Sequence, residues 1–507
     1  MAALRAAIAI LPFFSPPVAV RGMRVTPKPA GEIAPYPPMH WHSWNTFTGE
    51  DRVNETNLRQ MADALLSTGM AEAGFDTVNV VCNGWTGRDP VTHQLQENKA
   101  LWPGGIAAFA EYLHSKNLSL GCYTSPWTKN CCGEPGSLGY EAIDMEFFAK
   151  VGCDHVMVDW CRPYENPKQA RDAYAVFGSA IANSSNPNMI FGVWSAGIGK
   201  SWKWAAEIGG HYWRTATDIY NAWEEPVQGG PPFFQGSGSV LHNFDMAYSI
   251  PNIDRYTSPG HYTFLDQMVL GVVPGHGIAG PGLSFSEAQA HMTMWVMAAT
   301  PLLTCNDVRS MPDDIKGILT NPEVLAVHKD PLARMASRID VGGGLEESHS
   351  GWPQACASNY SIYGKPLADG STAVMILNRG VANLSVVLLM EDVGDCESYS
   401  ANLVQSMVVP LWFLADVRVV VRRSDAHDLR CARPVVADKF FFLAHRRQGI
   451  DGSPWAWSAL PPTVADGSCP PTGTSSCANM PLGVCAPRTR LLVKHRSLSA
   501  RKFLQLH

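Results

Sequence analysis

Between residues 35 and 334 the chain repeats one pattern: a short, apolar, strand-like run followed by a longer run with helical spacing. Strand-like runs fall at 39–44, 76–81, 118–123, 155–159, 189–194, 212–217 and 298–303, and helical ones at 55–69, 105–114, 139–151, 168–182 and 286–297. Asn54 stands ready to cap the first helix, and Ser284 or Ser286 the last. Such an order over so long a stretch predicts a parallel sheet wrapped by helices, and its length suits a (β/α)8 TIM barrel. The Gly- and Pro-rich segment 226–282 shows no clear strand, yet the repeat requires the seventh one there.

Two of the runs end on an aspartate: His155-Val-Met-Val-Asp159 and Tyr212-Trp-Arg-Thr-Ala-Thr-Asp218. In a parallel barrel the C-terminal strand ends converge on one mouth. Two carboxylates meeting there are equipped to break a glycosidic bond. The 16 tryptophans and 14 tyrosines mostly fill core, with some left over to stack on sugar rings. A net charge of −6 gives no electrostatic case for nucleic acid.

With 507 residues there is room for a second module. After residue 335 the pattern changes to short strands and turns, which predicts an antiparallel β domain of sandwich type over 336–445. Residues 446–507 are Cys- and Pro-rich, then basic, and are expected to be poorly ordered. Residues 1–22 look like a signal peptide, and no later run is long enough to span a membrane. Sequons at Asn54, Asn117, Asn183, Asn359 and Asn383, with 13 cysteines, fit a secreted or lysosome- or vacuole-like destination.

Ordered motifs across roughly residues 35–393 resemble the melibiase group of retaining glycosidases, which holds α-galactosidases and α-N-acetylgalactosaminidases. Pro37-Pro-Met-His-Trp-His-Ser-Trp-Asn45 resembles the family's PPMGWNSWN, Gly74-Phe-Asp-Thr-Val-Asn79 its GYxYVN, and Trp213-Arg-Thr-Ala-Thr-Asp-Ile219 its WRTTGDI. Pro135-Gly-Ser-Leu-Gly-Tyr140, preceded by Cys131, is similar to its C-x-x-x-PGS-x-GY. The resemblance implies a hydrolase that removes terminal α-galactosyl or related sugars from small glycosides or oligosaccharides. It implies Asp159 as nucleophile and Asp218 as acid/base, with Trp44, Tyr123, Arg214 and Asp266 as sugar-binding residues. It also implies a Cys131–Cys161 bridge, although spacing alone leaves adjacent Cys132 an equal partner. No cofactor and no metal are expected. A homodimer is left open.

The chain departs from the family where the sugar is gripped. The family's strand-two Asp-Asp-Cys-Trp corresponds here to Val81-Cys82-Asn83-Gly84, and its lysine two residues before the nucleophile to Met157. Its strand-two bridge would need cysteines where Gly49 and Asn83 stand. Alternatives are therefore a changed specificity, for β-L-arabinopyranosides or α-N-acetylgalactosaminides, or a non-catalytic carbohydrate-binding barrel.

Overall fold

The computed structural model describes residues 28–47, 52–161, 169–224, 238–273, 280–341, 360–370, 372–378, 384–389, 417–422, 440–444, 490–492 and 503–505. The expected signal segment and most of the expected tail lie outside them, as do Gly49, Asn359 and Asn383.

Eight parallel strands form one curled sheet: β1 (Met39–His42), β2 (Thr77–Asn79), β3 (Ser119–Thr124), β4 (His155–Asp159), β5 (Ile190–Trp194), β6 (Tyr212–Arg214), β7 (Tyr262–Phe264) and β8 (Leu302–Thr304). β8 pairs with β1, and just beyond β7 Met268 bridges to Thr304, with its N–H donating to the Leu303 carbonyl at 2.7 Å. The sheet thus meets itself and fits a (β/α)8 barrel.

Helices cover the outer face: α1 (Glu55–Ser67), α2 (Ile106–His114), α3 (Glu141–Val151), α4 (Ala170–Ala182), α5 (Val240–Ser249), α6 (Phe285–Met297), α7 (Asp313–Leu319) and α8 (Pro322–His328). The Asn54 side chain caps α1, and Ser284 with Glu287 makes a capping box on α6. β5 connects to β6 through two short 3-10 turns instead of a helix. The seventh strand lies at Tyr262–Phe264, preceded by α5. The expected strand at 298–303 begins only at Leu302, because Ala298 still caps α6 and Pro301 cannot continue the helix.

The barrel interior is polar in the layer below the mouth. Trp194 Nε1 donates to the Tyr212 hydroxyl (3.2 Å), which lies 2.7 Å from His155 Nε2, and His155 Nδ1 lies 2.7 Å from Asn79 Oδ1. Every member has a partner, so the network stiffens the floor beneath the site. Gly121 on β3 makes it fit, since a Cβ there would lie 1.8 Å from Asn79 Oδ1.

Beyond the barrel, β9 (Ser337–Val341), β10 (Tyr360–Pro366) and β11 (Thr372–Asn378) pair antiparallel. Tyr363 packs on Phe244 and Tyr248 of α5, and Lys365 Nζ donates to the Val296 carbonyl of α6 at 2.9 Å. Phe440–Ala444 joins β11 in parallel, which departs from the all-antiparallel expectation. No helix among the described residues is long and apolar enough to cross a membrane.

Candidate active site

A cavity of about 320 Å³ opens at the C-terminal ends of the barrel strands. Asp159, the last residue of β4, and Asp218, four residues past β6, both line it. The Tyr123 hydroxyl, from β3, donates to Asp159 Oδ2 at 2.7 Å. Arg214 Nη1 donates to Asp218 Oδ1 at 2.5 Å. Burial first, then the nearby Asp218 charge, push the Asp159 carboxyl up to about 6, against the Tyr123 hydrogen bond and Arg214. Asp218 is the more open of the two, with its side chain 36% exposed.

Trp44 and Trp194 supply flat apolar surface on the wall. Trp194 is held by a parallel His42 ring at 5.3 Å and by the Arg214 guanidinium 5.6 Å from its ring centre. His42 also borders the cavity; burial pushes it down to about 3, so it stays neutral. Its Nδ1 accepts the Trp44 N–H at 3.2 Å, which leaves the proton on Nε2.

Asp266 differs from the other expected residues, because the cavity wall does not include it. It is fully buried behind Arg214, with Oδ2 3.2 Å from Nη2 and accepting the Ile219 N–H at 2.7 Å. Burial pushes its carboxyl up, opposed by Arg214. Its φ of 86° is positive, which is uncommon outside glycine although aspartate tolerates it better than most residues. Asp266 Oδ2 thus faces the Arg214 guanidinium from behind the cavity wall. The next residue, Gln267, does line the cavity.

The strand-two end is rebuilt. Cys82 is bridged to Cys132, and Cys131 to Cys161. Spacing leaves Cys131 and Cys132 equal candidates for Cys161; the structure separates them by giving Cys132 to Cys82. A further bridge joins Cys122 to Cys153, and Cys305 is a buried free thiol. Cys82 and Asn83 both have positive φ (69° and 61°). Glu134 secures this turn, accepting the Trp85 N–H at 3.0 Å and an Asn130 amide proton at 2.8 Å. Val81, on the cavity wall, clusters with Cys82, Met157 and Tyr123 into an apolar patch. Cys131, Asp159 and Cys161 bring ligand-type atoms within 4.8 Å of one another, but both sulfurs are spent in the bridge.

The melibiase family model, described as alpha galactosidase A, matches residues 36–330. The alpha-galactosidase A of Cellvibrio japonicus is 35% identical, over 69% of this chain and 77% of its own length. The alpha-galactosidase of Cyamopsis tetragonoloba is 31% identical, over 71% and 76%. The crystal structure of alpha-galactosidase I from Mortierella vinacea superposes with a TM-score of 0.59 at 26% identity, covering 69% of this chain and 83% of that one. Fold, cavity and relatives together define a glycoside hydrolase of the barrel class. The chain belongs to the melibiase, or α-galactosidase, family.

Proposed function

We propose that this protein removes terminal α-galactosyl residues by double displacement with net retention, with Asp159 as nucleophile and Asp218 as acid/base. The observation that carries the reading is the placement of both carboxylates on one cavity wall, each with its own donor, Tyr123 on Asp159 and Arg214 on Asp218. In the first step Asp159 attacks the anomeric carbon and forms a glycosyl ester, while Asp218 protonates the departing oxygen. In the second, Asp218 takes a proton from water, which attacks the same carbon and releases Asp159. Trp44 and Trp194 stack on the apolar face of the ring.

Proton NMR of a nitrophenyl α-galactoside digest tests this directly. The first-formed galactose is expected to be the α anomer, and a β product would overturn the two-step route. Azide is expected to restore part of the turnover of Asp159→Gly, because a small anion can enter the vacated space.

Asp159 must be ionised to attack. With its carboxyl near 6, kcat/KM is expected to fall about tenfold per pH unit below that value. The same shift carries a stability cost. The folded state holds this proton more tightly than the unfolded chain, whose aspartates titrate near about 3.9. The group's favourable contribution is thus present below about 4 and lost as pH rises through about 6. Asp159→Asn is expected to unfold at higher denaturant than the parent near pH 8, by roughly 1–3 kcal/mol, with the gap closing near pH 4. Equal midpoints at both pH values would remove the proposed strain from Asp159.

We extend the reading to the rest of the chain. The barrel occupies 35–335, and a β-sandwich domain occupies 336–445, of which the sheet built on β9–β11 is one layer. Residues 1–22 direct secretion, and the described bridges suit an oxidising compartment.

A further inference from the structure

Gln267 lies just past the C-terminal end of β7 and is only 2% exposed, yet it borders the cavity. The buried Cys305 thiol approaches its Oε1 at 3.2 Å. Burial pushes that thiol well up, so it keeps its proton and donates it to the carbonyl end of the amide. This fixes the amide's orientation and leaves both Nε2 protons facing elsewhere. Among the described residues no protein group accepts them. The residue is otherwise buried and borders the cavity, so the donor free of a protein partner is available to a ligand held there. The neighbouring Asp266 carboxyl is not on the cavity wall, and its Oδ2 faces Arg214 and the Ile219 N–H. At the end of β2 the cavity is lined by Val81, backed by the apolar cluster of Cys82 and Met157.

We propose that Gln267 is a specificity-determining residue that donates an Nε2 hydrogen bond to one hydroxyl of the bound sugar, and that Cys305 is the positioning residue that aims it. This rests on the glycosidase reading above. A neutral amide donor makes the hydroxyl an acceptor, which reverses the polarity a carboxylate ligand would impose. An amide does not titrate, so this contact is constant across the working pH range.

The test uses the full-length protein with nitrophenyl α-galactoside and its monodeoxy analogues, one for each hydroxyl. Gln267→Met keeps the length of the side chain and removes the donor. It is expected to lower kcat/KM for the parent sugar roughly 10- to 100-fold. One analogue, the one lacking the contacted hydroxyl, should be cleaved equally by parent and variant. A uniform loss across all analogues, or no loss, would overturn the proposal. Cys305→Ala should weaken discrimination against that same analogue, and Cys305→Ser, which retains a hydroxyl donor, should restore it. This pair decides the question if Gln267→Met does not fold. Calorimetric binding of galactose asks the same question without turnover. An unaltered Kd in Gln267→Met would sink the contact, whereas a wild-type chain that binds galactose through Gln267 but cleaves nothing would sink only the glycosidase reading.

Discussion

Asp159→Asn is expected to lower kcat/KM on a nitrophenyl α-galactoside by about four powers of ten or more, and Asp218→Asn by about two to four, with both proteins folded. The asymmetry follows from chemistry. An amide at 159 cannot form the glycosyl ester, so the two-step route is closed. An amide at 218 removes proton transfer, which an activated leaving group such as nitrophenolate partly dispenses with. The Asp218→Asn deficit should therefore widen on an unactivated galactoside such as a galactosyl-sugar. In Asp159→Asn the Tyr123 hydroxyl can still donate to the side-chain carbonyl, so near-ultraviolet circular dichroism should match the parent. Turnover of either Asn variant within tenfold of the parent would remove that residue from the mechanism.

The second large effect concerns the intact protein. Its kcat/KM for a simple α-galactoside is expected to lie about two to four powers of ten below that of a family member carrying the strand-two Asp-Asp pair. Val81 and the bridged Cys82 offer no acceptor to a sugar hydroxyl. Each hydroxyl buried without a partner costs roughly 1–3 kcal/mol, and two such losses compound to that range. Side-by-side assays on α-galactoside, β-L-arabinopyranoside and α-N-acetylgalactosaminide measure it. Full family-level activity on the α-galactoside would show that contacts elsewhere in the cavity make up for the lost acceptors completely.

The barrel is legible in the sequence because alternation of strand and helix is a long-period signal, repeated along one chain and marked by caps such as Asn54 and Ser284. Asp159 is legible because it closes an apolar strand, and strand ends point to the mouth; Asp218 stands four residues past the end of β6 at the same mouth. Short-range polar geometry is not. Nothing in the string Leu265-Asp266-Gln267 says which side chain turns inward; that depends on the left-handed backbone at Asp266 and on an arginine 52 positions earlier. Adjacent Cys131 and Cys132 likewise carry no record of their partners, because pairing is decided by which strand end each faces. The start of β8 is misplaced by pattern alone because Ala298-Ala-Thr-Pro301 is apolar enough to pass for strand while still ending a helix.

The neighbouring cysteines also set the mechanics of the mouth. One ties the loop after β3 to the end of β2, and the next ties it to the end of β4. Three consecutive strand ends are thereby braced into a single arch, with the loop as keystone. An arch of this kind cannot widen on one side to admit a bulkier ring and narrow again for a smaller one. On that flank the sugar must match an opening whose gauge is set by covalent bonds, and adaptation to a new ring size is left to the β5–β8 side, where Trp194, Asp218 and Gln267 stand.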